Sequence, residues 1–203
     1  GTIINDGSYG TYLFVCGVNS DITSTNSLVR LETSQSQSGY DISMRDKLND
    51  VTINSSGKTI TMTSEAMELA GDLTITAGTL NTNAANLALT VTGQLTCAGT
   101  FTGNASLVTV NSVLLTAGTF TAPSDSGSGD LVIQGEDGGY AFRKTGGTFT
   151  HNSGTVTFNT NSSTTINNSH TWNNVIHNVP ANSAHYHLYA PDTVIAGDLT
   201  VQD

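Results

Sequence analysis

The sequence predicts an all-β chain wound as a β-solenoid, a parallel β-helix with coils of about 20 residues. Three observations lead there. Threonine (33), serine (21), glycine (21) and asparagine (19) fill 94 of 203 positions; threonine is β-branched and fits a pleated surface, while Gly and Asn fit turns. Short segments repeat at a spacing of about 20 residues, the length of one solenoid coil. Within the repeats apolar residues alternate with threonine, as in Leu73-Thr-Ile-Thr76 and Thr155-Val-Thr-Phe158, which puts Leu, Ile, Val and Phe inside and Thr outside. The hydrophobic share of 36% is patterned in a way that a disordered Gly/Ser linker is not. The competing architecture is a β-sandwich, barrel or mixed β fold built of hairpins, with possible turns at Asn54-Ser-Ser-Gly57 and His151-Asn-Ser-Gly154.

Along the chain, residues 1–63 hold four of the six Lys and Arg and the closest clustering of strong charges, among them Arg30, Glu32, Arg45, Asp46 and Lys47, and repeat weakly. They are expected to be an N-terminal β region, a cap or attachment part, with the repeat solenoid running over 64–203. Tyr12-Leu-Phe-Val-Cys16 reads as a strand. Ser64-Glu-Ala-Met-Glu-Leu-Ala70 predicts a short helix, with Ser64 as cap and Gly71 as stop. The repeat then begins: Ala-Gly-Thr triplets start at Ala77, Ala98 and Ala117, and Gly-Asp-Leu recurs at Gly71, Gly129 and Gly197. Glycine after each short strand permits the positive φ that turns a corner. Stacked coils put like residues above one another, so Asn and Thr can form axial hydrogen-bonded ladders. Pro123-Ser-Asp-Ser-Gly-Ser-Gly129 reads as a loop projecting from the shaft. The last repeat stops soon after Gly197-Asp-Leu-Thr-Val201, where an unpaired edge calls for another chain or further residues to cover it.

Charge and composition narrow the function classes. The net charge is −10, and no Lys or Arg lies between Thr59 and Tyr140 or after Lys144; without clustered cations, nucleic-acid binding is not expected. No apolar run approaches the ~18 residues a membrane span needs. The chain opens at Gly1-Thr-Ile-Ile without an initiating Met or signal peptide, and so is expected to be trimmed or a slice of a longer polypeptide. Cys16 and Cys97 make no disulfide framework and read as buried small hydrophobes. Few Lys and Arg mean few trypsin sites, which suits an extracellular or virion location.

The stretch Thr145-Gly-Gly-Thr-Phe-Thr-His-Asn-Ser-Gly-Thr-Val-Thr-Phe-Asn159 resembles β-strand repeat units of large surface proteins. Ser163-Thr-Thr-Ile-Asn-Asn168, Thr171-Trp-Asn-Asn-Val-Ile176 and Gly197-Asp-Leu-Thr-Val201 extend the likeness over roughly 71–203. Such units occur in bacteriophage tail fibres and virion appendages and in bacterial adhesin-like secreted proteins. The resemblance implies a structural, adhesive segment presenting loops to a cell-surface glycan or protein receptor, with homotrimers usual in phage fibres. Alternatives are a secreted bacterial adhesin or filament subunit, and a glycan-cleaving tailspike domain.

Site chemistry is sparse. His185 and His187 would lie on one face of a strand, and a threefold axis would gather six imidazoles, enough for an octahedral transition metal. His-x-His pairs in trimeric phage spikes are similar and hold iron, so the resemblance implies the same metal. The reading preferred here is two solvent-facing or stacking histidines on an ordinary strand, with no cofactor expected and iron or another transition metal as the alternative. Glycoside cleavage needs two facing carboxylates, for which the sequence offers Asp125 with Asp130, Glu136 with Asp137, and Glu65 with Glu68. All sit beside glycine or in short exposed turns, where solvated acids are normal, and no enzyme activity is expected. Ser126-Gly-Ser-Gly-Asp130 partly matches Gly-rich calcium repeats but occurs once. The Asp of the Gly-Asp-Leu units is expected to close its own turn. Tyr140, Phe142, Trp172, Tyr186 and Tyr189 could form a sugar-stacking face, or pack as core and ladder aromatics.

Overall fold

The computed structural model describes residues 2–5, 12–15, 26, 28–33, 38–83, 85–126, 129–167, 170–178 and 187–202. Among them the regular elements are all strands. In chain order they are β1 (Thr2–Asn5), β2 (Tyr12–Val15), β3 (Leu28–Leu31), β4 (Gly39–Ser43), β5 (Asp50–Met62), β6 (Met67–Leu69) and β7 (Leu73–Asn81). Then follow β8 (Leu89–Cys97), β9 (Thr100–Thr102), β10 (Leu107–Leu115), β11 (Thr119–Thr121), β12 (Asp130–Ile133), β13 (Tyr140–Lys144) and β14 (Thr148–Thr150). The last are β15 (Thr155–Phe158), β16 (Thr164–Asn167), β17 (Thr171–Trp172), β18 (Asn174–Asn178), β19 (His187–Tyr189), β20 (Val194–Ile195) and β21 (Leu199–Gln202).

The protein is a parallel β-solenoid of about seven turns. Its strands stack as three ladders. The first face runs through β1, β3, the start of β5 and β7, the end of β8 and β10, then β13, β16 and β19. The second face joins β2, β4, the end of β5 and β7, then β9, β11 and β14. The β17–β20 pair takes the corresponding place in the final coils. The third face begins at the Leu48–Leu69 bridge and continues through β6, the start of β8 and β10, then β12, β15, β18 and β21. The ladder passes position 63 without a break, because β5 pairs with β7 at both its ends. A hairpin fold would pair sequence neighbours antiparallel; here Gly57 and the Asn152–Ser153 pair take positive φ and turn corners between faces instead.

The coil length holds in the middle and stretches later. Leu73 pairs with Leu95, 22 positions on, and Leu95 with Val113, 18 on. Val113 pairs with Phe142, 29 on, because the sequence between β11 and β12 and the 134–139 turn lengthen that coil. Inward positions close into one core, including Leu73, Leu95, Val113, Phe142 and Ile166 on the first face. Inside the second face Phe120 lies 4.8 Å from Phe101 and 6.0 Å from Phe149, ring centre to ring centre, an axial aromatic stack. Of the axial Asn and Thr ladders expected, two single asparagine pairs form, Asn104 Nδ2 donating to Asn81 Oδ1 at 2.7 Å and Asn178 Nδ2 to Asn159 Oδ1 at 3.2 Å, and the stacked threonines of the second face make none among the described residues.

Three expectations are corrected. The 64–70 stretch is not helical. Met67 and Leu69 are buried on either side of exposed Glu68, and β6 pairs with β8 from Met67↔Leu89 onward. Ser64 has φ 72°, a corner conformation rather than a helix cap. Ladder pairing and burial of two side chains outweigh the helical preference of a seven-residue stretch, which is too short to be stable alone. The Gly-Asp-Leu units are also not equivalent, since Gly71 leads from the third face to the first while Gly129 and Gly197 lead into the third. Nor does Asp72 close its own turn: its Oδ1 accepts the backbone N–H of Gln94 one coil on, at 2.8 Å, as Asp50 accepts that of Asp72.

Candidate functional site: the second face

The Ala-Gly-Thr triplets all fall at the corner between first and second faces. Coils there approach so closely that a Cβ on Gly118 would sit 1.8 Å from the carbonyl oxygen of Gly99, and one on Gly99 2.5 Å from that of Gly78. Glycine is therefore required by the neighbouring coil at both positions, and at Gly118 by its φ of +61° as well. The column Gly57, Gly78, Gly99 and Gly118 leaves a shallow groove of about 390 Å³ beside the threonines that follow.

Those threonines are in register. Thr59, Thr79, Thr100, Thr119 and Thr148 pair in one column; Thr61, Asn81, Thr102, Thr121 and Thr150 pair in the next. Between the columns the alternate side chains Ile60, Leu80, Phe101, Phe120 and Phe149 point inward, so each strand shows two side chains outward. None of the nine threonine hydroxyls has a hydrogen-bond partner among the described residues, and all nine are half-buried or exposed. Some threonines elsewhere are tied down: Thr82 donates to the Gly103 carbonyl at 2.8 Å, Thr96 to Gln94 at 3.1 Å and Thr157 to Asp130 at 3.0 Å, while Thr52, Thr74, Thr90 and Thr109 of the other faces have no side-chain partner among the described residues.

The other faces are mixed. The outward column of the first face reads Arg30, Thr52, Thr74, Thr96, Leu114, Arg143. That of the third reads Glu68, Thr90, Thr109, Val132, Thr157, Ile176. β-Propensity would scatter threonine over all three faces; the paired double column occurs on the second. The sequence signal was the Thr-x-Thr, Thr-x-Asn at 79–81, that follows the corner glycines, but only the register shows that these pairs stack.

Of the residues singled out for metal binding, His185 lies outside the described residues; His187 opens β19, its backbone paired with Thr164. Among the described residues no three His, Cys, Asp or Glu side chains gather into a metal-sized group. Of the carboxylate pairs, Asp125 and Asp130 come together. Asp125 Oδ2 accepts from Asn174 Nδ2 at 3.0 Å and Asp130 Oδ2 from Thr157 Oγ1 at 3.0 Å. Burial raises the Asp130 carboxyl above the usual aspartate range, and the negative charge of Asp125 adds to the shift. Glu136 accepts the backbone N–H of Gly139, and Asp137 accepts from Gln94 Nε2 at 3.1 Å. Glu65 pairs with Arg45 at 2.5 Å, in a groove of about 410 Å³ that also holds Glu68 and Lys47.

Phe142 and Trp172 are fully buried and packed edge to face at 5.1 Å, so they serve the core rather than a sugar platform. Tyr189 is half-buried, its hydroxyl 2.5 Å from His177 Nε2, and Tyr140 lies under the Arg143 guanidinium; Tyr186 is outside the described residues. Cys97 is buried, and burial pushes its thiol up to about 12, leaving it an inert core group. Cys16 is outside the described residues. No helix among the described residues is long and apolar enough to cross a membrane.

Fold and surface together define the class: a three-faced parallel β-solenoid with one threonine-lined face. Comparison with protein-family models, curated proteins and solved structures finds no match to this chain.

Proposed function

We propose that this chain is a structural and adhesive segment of an extracellular or virion fibre, of the kind found in phage tail fibres and appendages. The observation that supports it is the axial continuity of three parallel ladders, in which each coil is stabilised by its neighbours and the product is a stiff rod. Seven turns at about 4.8 Å each give a rise of roughly 34 Å over which side chains stand in fixed rows. The turn holding Asp125 and Ser126 is exposed beside this shaft and suits contact with a surface glycan or protein. Homotrimer formation belongs to this reading, and so does a metal held by His185 and His187 on the trimer axis.

The test is to raise antibody against the chain, label purified particles and cell surfaces, and sediment the isolated protein. Labelling on virions or on the cell exterior, with a trimer in solution, is the expected result. Protein confined to the cell interior would reject the reading, and label on bacterial surfaces without virions would move it to a secreted adhesin or filament subunit. A glycan-cleaving tailspike domain is the second reading, for which the candidate carboxylates are Asp125 and Asp130, whose charges interact. It requires that glycan cleavage be measurable and be lost in Asp130→Asn.

A further inference from the structure

We infer that the second face is an ice-binding surface. The starting point is the double column of nine threonines and Asn81 spanning five successive coils. Sheet geometry sets the grid: about 4.8 Å between coils along the axis, and about 6.6 Å between the two outward side chains of one strand. These are close to the short and long oxygen repeats on a prism face of hexagonal ice. A ligand that meets the same two groups in every coil must itself be periodic.

The chemistry of the face points the same way. Threonine offers a methyl and a hydroxyl together. Among the described residues the hydroxyls here have no partner, so each can donate to and accept from a water. The methyls between them keep those waters from being satisfied by the protein alone and hold them in a cage-like layer. Being β-branched, threonine has few χ1 states, and the Phe101–Phe120–Phe149 stack supports the strands from inside. The array is thus rigid before the ligand arrives, and little ordering cost remains on binding. Strands 79–81, 100–102 and 119–121 carry no charged residue; Lys58 lines the groove beside Thr59, Asp41, paired with Thr61, stands at the same end of the array, and Lys144 and His151 lie near the other. A lattice of neutral water rejects a strongly hydrated ion, and the charges are off the grid.

Other flat partners fit less well. A crystalline polysaccharide is gripped by exposed aromatic rings, and the aromatic rings of this face point inward. A second copy packed face to face would need an apolar interface core, where these two columns are hydroxylated. The binding needs only the rigid face, whatever particle or cell carries the chain, and so stands apart from the fibre reading.

The experiment uses the full 203-residue chain. Single ice crystals are grown in its solution, and the gap between melting and growth temperatures, the crystal shape and the uptake of fluorescently labelled protein into an ice hemisphere are recorded. Faceted crystals, a measurable gap and enrichment in ice are expected. Thr100→Tyr and Thr119→Tyr, which raise a ring above the plane, should each lower ice uptake at least about tenfold, a loss of ~1.4 kcal/mol. Thr90→Tyr and Thr109→Tyr on the third face should leave it unchanged. Smooth disc-shaped crystals and no enrichment with the unaltered chain overturn the proposal. So does equal loss from third-face variants, or sedimentation with cellulose or chitin particles in place of ice.

Discussion

At the scale of single residues, the fold holds Asp130 where charge is disfavoured. Its carboxyl is raised chiefly by burial, partly offset by the Thr157 hydrogen bond, with the Asp125 charge adding to the rise. A folded-state value above the unfolded one, about 3.9, means that the protonated acid stabilises the fold below that value. The contribution is lost as pH rises through the folded value. Asp130→Asn, neutral at every pH and still able to accept from Thr157, should therefore flatten the dependence of stability on pH above about 4. At pH 7 the variant should be the more stable protein, by no more than about 1 kcal/mol because the group is partly solvated. Urea melts of both proteins at pH 4 and 7 give the comparison, and parallel pH profiles would show that Asp130 ionises without cost. Nothing in the local sequence Gly129-Asp130-Leu131 reveals this, since Gly71-Asp72-Leu73 has the same letters. Asp72, however, lies at another corner, where its carboxylate receives a backbone amide from the next coil. Identical tripeptides acquire different chemistry because the face they enter is set by coil length.

At the scale of corners and strands, the sequence was most legible where backbone geometry dictates residue type. Ala77-Gly78-Thr79, Ala98-Gly99-Thr100 and Ala117-Gly118-Thr119 mark one stacked corner, and their spacing announces the coil. Met67–Leu69 was illegible as a strand, because three residues carry too little period and the pairing to β8 that stabilises them lies 22 positions away. The two demands on a corner glycine can be separated by mutation. Gly57 has φ +69° with nothing within 4 Å of an added Cβ, whereas Gly118 has φ +61° and an added Cβ 1.8 Å from a carbonyl oxygen. Gly57→Ala should cost about 1–2 kcal/mol, the penalty of a left-handed alanine. Gly118→Ala adds an overpacking cost of about 1–3 kcal/mol against a backbone that can retreat only by separating two coils. Equilibrium urea unfolding reads both, and equal losses would mean that the close approach of coils is relieved without strain.

At the scale of the whole molecule, stability passes from coil to coil, so position along the axis should matter more than residue type. Buried Val175 and His177 of β18 correspond, one coil on, to Leu199 and Val201 of β21, which are 55% and 68% exposed. The same inward-facing positions thus go from core to solvent across a single step, so the β21 coil buries far less apolar surface than the β18 coil. It should open first, at a small fraction of the global free energy. Trp172, the single tryptophan, reports on this event. It is fully buried, its backbone pairs with Ile195 of the last coil, and it packs against Phe142, Phe149, Phe158 and His170. Far-UV circular dichroism reports on every coil together. In urea the Trp172 fluorescence change should precede the dichroism change by about 0.5 M or more, since losing a few coils exposes less surface than losing all and requires less free energy. Leu199→Thr with Val201→Thr, which removes the exposed apolar groups, should widen the gap. Coincident transitions would instead show that the aromatic cluster around Trp172 binds the terminal coils to the shaft as one cooperative block.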